Sequence, residues 1–108
     1  MRNDGNVYTN ITIFATNLWN SVINPTAYYS YKIDNVTLTG ENASFRASLS
    51  SVSYTNVPNV DLETLCIAEL NYTDASDSVE VDINVTTPTD EAPGARGSII
   101  TFTGSLGE

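Results

Sequence analysis

Between Val79 and Thr86 the chain alternates apolar and polar residues without a break: Val79, Val81, Ile83 and Val85 against Glu80, Asp82, Asn84 and Thr86. A period of two places successive side chains on opposite faces of a strand, so this run predicts a strand with its valines and isoleucine turned to a core. Similar patterns recur upstream. Residues 6–16 set Val7, Thr9, Ile11, Ile13 and Ala15 on one side, with Tyr8, Asn10, Thr12 and Phe14 on the other. Tyr29, Tyr31 and Ile33 line one side of a second strand over 28–33. Phe45, Ala47 and Leu49 alternate with Arg46 and Ser48 in a third, and 52–57 forms a short fourth closed by Pro58-Asn59. A fifth strand spans 62–72, partly apolar on both faces as in the centre of a sheet. After the run at 79–86, residues 98–106 complete the set with Ile100, Phe102 and Leu106 inward.

No stretch holds a 3.6-residue period across three turns. β-Branched and aromatic residues fill the runs, while Gly, Pro, Asn and Asp fill the gaps. Seven short strands in 108 residues predict an all-β fold, an immunoglobulin- or fibronectin-III-like antiparallel β-sandwich. A barrel is the alternative, because periodicity does not distinguish closure from stacking. The length fits one domain, 1–108. Cys66 is the only cysteine, so no disulfide can form within the chain; its setting, Leu65-Cys66-Ile67-Ala68, reads as a small buried hydrophobe rather than a reactive thiol. Pro93-Gly94 predicts a tight turn in which glycine supplies the positive φ.

Charge narrows the partners. Four basic and 13 acidic residues leave a net charge of -9, which repels nucleic acid and anionic membrane surfaces. No apolar run is long enough for direct membrane insertion or for a signal peptide, so the sequence reads as a domain excised from a larger extracellular protein.

Two segments resemble a known family. The run Ile67-Ala68-Glu69-Leu70-Asn71-Tyr72-Thr73-Asp74, the strand to Thr86, the loop Thr87-Pro88-Thr89-Asp90-Glu91-Ala92-Pro93-Gly94 and the strand Ile99-Ile100-Thr101-Phe102-Thr103 look like the end of Ig-like repeat domains of archaeal cell-surface and secreted proteins. Asn3-Asp4-Gly5-Asn6-Val7 resembles a turn in the same modules. The resemblance implies a non-catalytic envelope domain on the cell surface, with neighbouring domains of the same protein or other envelope proteins as partners. It also implies an edge strand left outside the piece. The isolated domain is expected to be a monomer.

The chemistry supports the same class. There is no histidine, so neither a serine nor a cysteine nucleophile can be paired with the usual base. The acids at Asp74 and Asp77, or Asp90 and Glu91, sit in turns where solvation keeps them ionised, so no catalytic residue is expected. Calcium is the one cofactor these acids suggest, although they are too sparse for a calcium loop and no metal ligand is assigned. Asn10, Asn35, Asn42, Asn71 and Asn84 each begin an Asn-x-Ser/Thr acceptor sequence for glycosylation, in a composition that produces several by chance. Trp19 with Tyr28 forms either the plug at a sandwich end or a ring platform for sugars. The expected function is therefore a structural or adhesive module of a cell-surface protein. The alternatives are a carbohydrate-binding module and an extracellular filament subunit assembled by β-strand addition.

Overall fold

A computed structural model describes residues 1–34, 44–73 and 77–107. Among them are six strands and two single-turn 3-10 helices: β1 (Thr9–Ala15), β2 (Tyr29–Asp34), the turn Ala47–Leu49, β3 (Thr55–Asn56), the turn Val60–Leu62, β4 (Thr64–Leu70), β5 (Glu80–Val85) and β6 (Ile100–Leu106). The strands form two antiparallel three-stranded sheets, ordered β4-β1-β6 and β3-β2-β5. The fold is all-β, as the alternation predicts, with six strands where seven were expected.

The two central strands build the core. β1 turns Ile11, Ile13 and Ala15 inward, and β2 answers with Tyr29, Tyr31 and Ile33. Cys66, Ile67 and Leu70 from β4 join them, with Phe45, Val57 and Val79 from the flanks. Burying such side chains stabilises the fold by about 1.5–3 kcal/mol each. Cys66 is fully buried, donates to the Ile11 carbonyl at 3.3 Å, and burial pushes its thiol up to about 12, the inert hydrophobe expected from its sequence setting.

Three expectations need correction. Residues 45–49 do not form a strand. Arg46 N–H donates to the Ala68 carbonyl and Ser51 N–H to the Cys66 carbonyl, and between these anchors the chain turns through the 3-10 helix. Phe45 still reaches the core, so its apolar character was read correctly and its backbone was not. β4, in turn, is an edge strand of its sheet. Its consecutive residues Cys66, Ile67 and Ala68 are all buried where segment 44–51 covers its outer edge, while Thr64 and Leu65 are exposed. The third correction concerns β5. Val79 is buried and Val81 half-buried, but Ile83 is 41% and Val85 49% exposed. The most regular alternation in the chain therefore belongs to an open edge.

The β1–β4 pairing slips twice, between Thr9 and Ile11 and again between Ile11 and Thr12. Glu69 lies at φ 54° in this bulge, where the Asn10 side-chain oxygen accepts its N–H at 2.9 Å. Gly94 has φ 141°, the positive value expected of the Pro93-Gly94 turn.

Candidate functional site

The two flanks of the molecule differ. On one, segment 44–57 runs between the sheets: it donates to β4 carbonyls through Arg46 and Ser51, accepts the Ile33 N–H at the Ser51 carbonyl, and continues into β3 against β2. Among the described residues, the two-residue β3 is the one strand with an unpaired outer side on that flank. On the other, β5 and β6 each have a strand partner on one side only among the described residues.

Register shows which backbone groups are free. Thr16 N–H donates to the Ile99 carbonyl and Gly107 N–H to the Tyr8 carbonyl, and β1 and β6 keep one unbroken register between these points. An antiparallel ladder alternates inward and outward groups, so Ile100, Phe102, Gly104 and Leu106 turn their N–H and C=O away from β1. In sheet 2, Thr86 N–H donates to the Tyr28 carbonyl, which leaves Val81, Ile83 and Val85 facing outward from β5. Both edges thus combine free backbone groups with apolar side chains: Ile100 and Phe102 half-buried, and Leu106 66% exposed.

The amino terminus already uses the start of one edge. Met1 and Val79 exchange backbone hydrogen bonds at 2.9 Å in both directions, Arg2 bridges Ser78, and Asn3 N–H donates to the Asp77 carbonyl. Residues 1–3 therefore lie antiparallel to the chain entering β5. Beyond Val79 the edge runs on uncovered by any described residue.

At the end of the molecule, loop 86–99 is fastened by one carboxylate. Glu91 accepts from the backbone N–H groups of Ser21 at 2.9 Å and Asn20 at 3.2 Å, and pairs with Arg96 Nε at 2.5 Å. The Ser21 N–H, followed by the Ser21 hydroxyl, Arg96 and the Asn20 N–H, lowers its pKa from 4.5 to about 2. A depressed carboxylate contributes stability that is complete above its unfolded pKa and disappears as pH falls through the folded one. Glu91→Gln is expected to remove a pH-dependent loss of stability between about pH 4.5 and pH 2, measured as melting temperature against pH. Equal acid dependence in both proteins would refute this role.

The sequence-predicted site residues are dispersed. Trp19 and Tyr28 are both half-buried, and the indole N–H donates to the Tyr28 carbonyl at 3.2 Å, so the indole's polar end is spent within the fold. A different pair shows ring contact: Tyr8 and Tyr72, both exposed, meet edge-on at 5.4 Å beside a recess lined by Phe45, Arg46, Glu69 and Asn71. Nothing in the spacing of Tyr8 and Tyr72 announced it, since the β1–β4 pairing brings them together. Of the acceptor asparagines, Asn84 is exposed. Asn10 and Asn71 are half-buried with their side-chain oxygens accepting backbone N–H groups, and Asn35 and Asn42 lie outside the described residues.

Of the acids considered for calcium, Asp77 is buried beside Arg2 at 3.4 Å, Glu91 is held by Arg96, Asp90 is exposed, and Asp74 is outside the described residues. Among the described residues, the acids that converge are Asp34, Glu80 and Asp82, with oxygens within 4.8 Å of one another. Cross-strand register assembles them, since Asp34 sits opposite Glu80 and Asp82 opposite Lys32.

No family model, curated protein or solved structure matches this chain. The functional reading therefore rests on the open flank.

Proposed function

We propose that the protein is a non-catalytic structural or adhesive module of a cell-surface protein, an Ig-like sandwich that works by accepting a strand along its open flank. The observation that carries this reading is the asymmetry of the flanks. One is lined by segment 44–57, and on the other no described residue pairs with the outer edges of β6 or of β5 beyond Val79, edges of seven and six residues with exposed apolar side chains. An uncovered edge is a template for another strand, and natural sheets blunt edges that are not used. A strand added there brings the six strands of the described residues to the seven of an immunoglobulin-like sandwich. Its net charge of -9 and absence of histidine fit an acidic extracellular surface without catalytic machinery.

The amino terminus offers a direct test. In the register set by Met1 and Val79, the second, fourth and sixth residues placed before Met1 lie opposite Val81, Ile83 and Val85. A segment with valines at those positions and lysines between them, opposite Glu80 and Asp82, is expected to raise the melting temperature by about 5 °C. The same composition shifted by one residue turns its valines to water, and is expected to give no gain. Equal effects from the two extensions would sink the strand-acceptor reading.

A further inference from the structure

We propose that β6 is a self-association edge, pairing antiparallel with β6 of a second copy about a two-fold axis at Thr103. The proposal rests on the strand-addition reading and names the occupant of one of its two edges.

Charge selects between those edges. β5 carries Glu80 and Asp82, so two β5 strands laid side by side gather four carboxylates along one seam, with Asp82 opposite its own symmetry mate or one residue pair away from it, which disfavours association. β6 has the opposite character. From Gly97 to Gly107 there is no charged residue and no proline, and β1 behind it, Thr9 to Ala15, is likewise uncharged. In a chain with net charge -9, this is the strand edge that a second copy can approach without close repulsion. It also lacks the inward charges, prolines and bulges by which solitary sheets protect an edge.

Geometry then selects the register. The outward backbone groups belong to Ile100, Phe102, Gly104 and Leu106, so hydrogen-bonded pairs must join these residues to one another. Full overlap of the strand Ile100–Leu106 puts the two-fold axis at its midpoint, Thr103. Ile100 then faces Leu106 of the second copy and Phe102 faces Gly104, all on the inner face. The exposed Leu106 gains an aliphatic neighbour. The phenyl ring of Phe102 faces a glycine, which has no side chain to clash with it across the seam. On the outer face Thr101 meets Ser105, and Thr103 meets its own symmetry mate. The contact is isologous and closes at two copies, joining the sheets as β4-β1-β6-β6-β1-β4.

The axis makes the test sharp. Thr103 opposes itself in a non-hydrogen-bonded pair, where Cα atoms lie about 4.5 Å apart, within disulfide reach. Thr101 opposes Ser105, so two copies of residue 101 lie four residues apart, about 13 Å. Thr103→Cys in the full 108-residue chain is therefore expected to oxidise to a covalent dimer at least tenfold faster than Thr101→Cys or Ser105→Cys alone, while an equal mixture of the last two cross-links with each other. The buried Cys66 does not compete. Thr103→Lys, which sets two ammonium groups face to face, is expected to weaken association at least tenfold by sedimentation equilibrium without lowering the melting temperature measured at a concentration where both proteins are monomeric. Because both copies carry net negative charge, association of the parent chain is expected to tighten as salt rises to about 0.5 M.

Cross-linking at residue 103 no faster than at 101, open-ended polymerisation, or a monomer at every accessible concentration would each overturn the proposal. The amino-terminal extension test reads β5 alone. A stabilising extension combined with a monomeric parent would reject the second copy while leaving the strand-acceptor function standing.

Discussion

Ile13→Ala is expected to destabilise the protein by about 2–5 kcal/mol, a large part of the total stability of a domain this size. Ile13 is fully buried in the middle of β1, the central strand of its sheet, between Thr64 of β4 and Phe102 of β6. Truncation removes the transfer energy of the lost methyls and leaves a void that flanking strands cannot collapse into without breaking their ladders. Ile83→Ala is the informative comparison. By alternation alone the two isoleucines are equivalent, yet Ile83 is 41% exposed on an open edge, and its loss is expected to cost under about 1 kcal/mol. Urea denaturation of both variants measures the difference. Equal costs would mean that β5 is covered in solution and that the flank described as open is closed.

The second large effect is expected at Asn24. This side chain is 1% exposed and ties the end of β1 to the loop that leads into β2: its Nδ2 donates to the carbonyls of Ala15 at 3.3 Å and Thr16 at 3.0 Å. Its own backbone N–H donates to Asn17 Oδ1 at 2.8 Å, and its carbonyl accepts from Asn59 Nδ2 at 3.0 Å. Asn24→Ala strands two carbonyls at the end of the core, with an expected cost of about 2–4 kcal/mol. Asn24→Asp is expected to be worse at pH 7, because a carboxylate would face carbonyl oxygens in place of a donor. Lowering the pH to 4 should recover part of that loss, since a protonated carboxyl regains one O–H to donate. Thermal melts at the two pH values decide it. An aspartate variant indifferent to pH would show that the amide donor does not hold this corner.

The elements that were legible share one property, a local pattern that agrees with the global packing. β1 and β2 are central strands with a sheet neighbour on each side; β1 buries every second residue from Ile11 to Ala15 as the period of two implies, and β2 buries Tyr29, Tyr31 and Ile33 together with Ser30 and Asp34. Cys66 sits in an apolar run and is buried. Pro93-Gly94 reads as a turn, and Gly94 adopts a positive φ. At 45–49 the alternation was genuine, and Phe45 is buried, but anchors at the Ala68 and Cys66 carbonyls coil the chain instead of extending it. The functional candidates fared differently because contact between distant residues makes them. Tyr8 meets Tyr72, and Asp34 meets Glu80 and Asp82, only once strand register is set.

From residue order alone came the all-β class, the core residues of β1 and β2, the lone inert thiol, and the acidic surface without histidine chemistry. Each follows from side-chain type and a two-residue period, which any strand carries with it. Whether a strand stands inside a sheet or at its rim is not a property of that strand. It depends on which neighbours the chain's path supplies, and segment 44–57 goes to the β3–β4 flank while no described residue covers β5 and β6 beyond Val79. Tertiary structure alone therefore decided that the most regular strand in the sequence is an exposed edge.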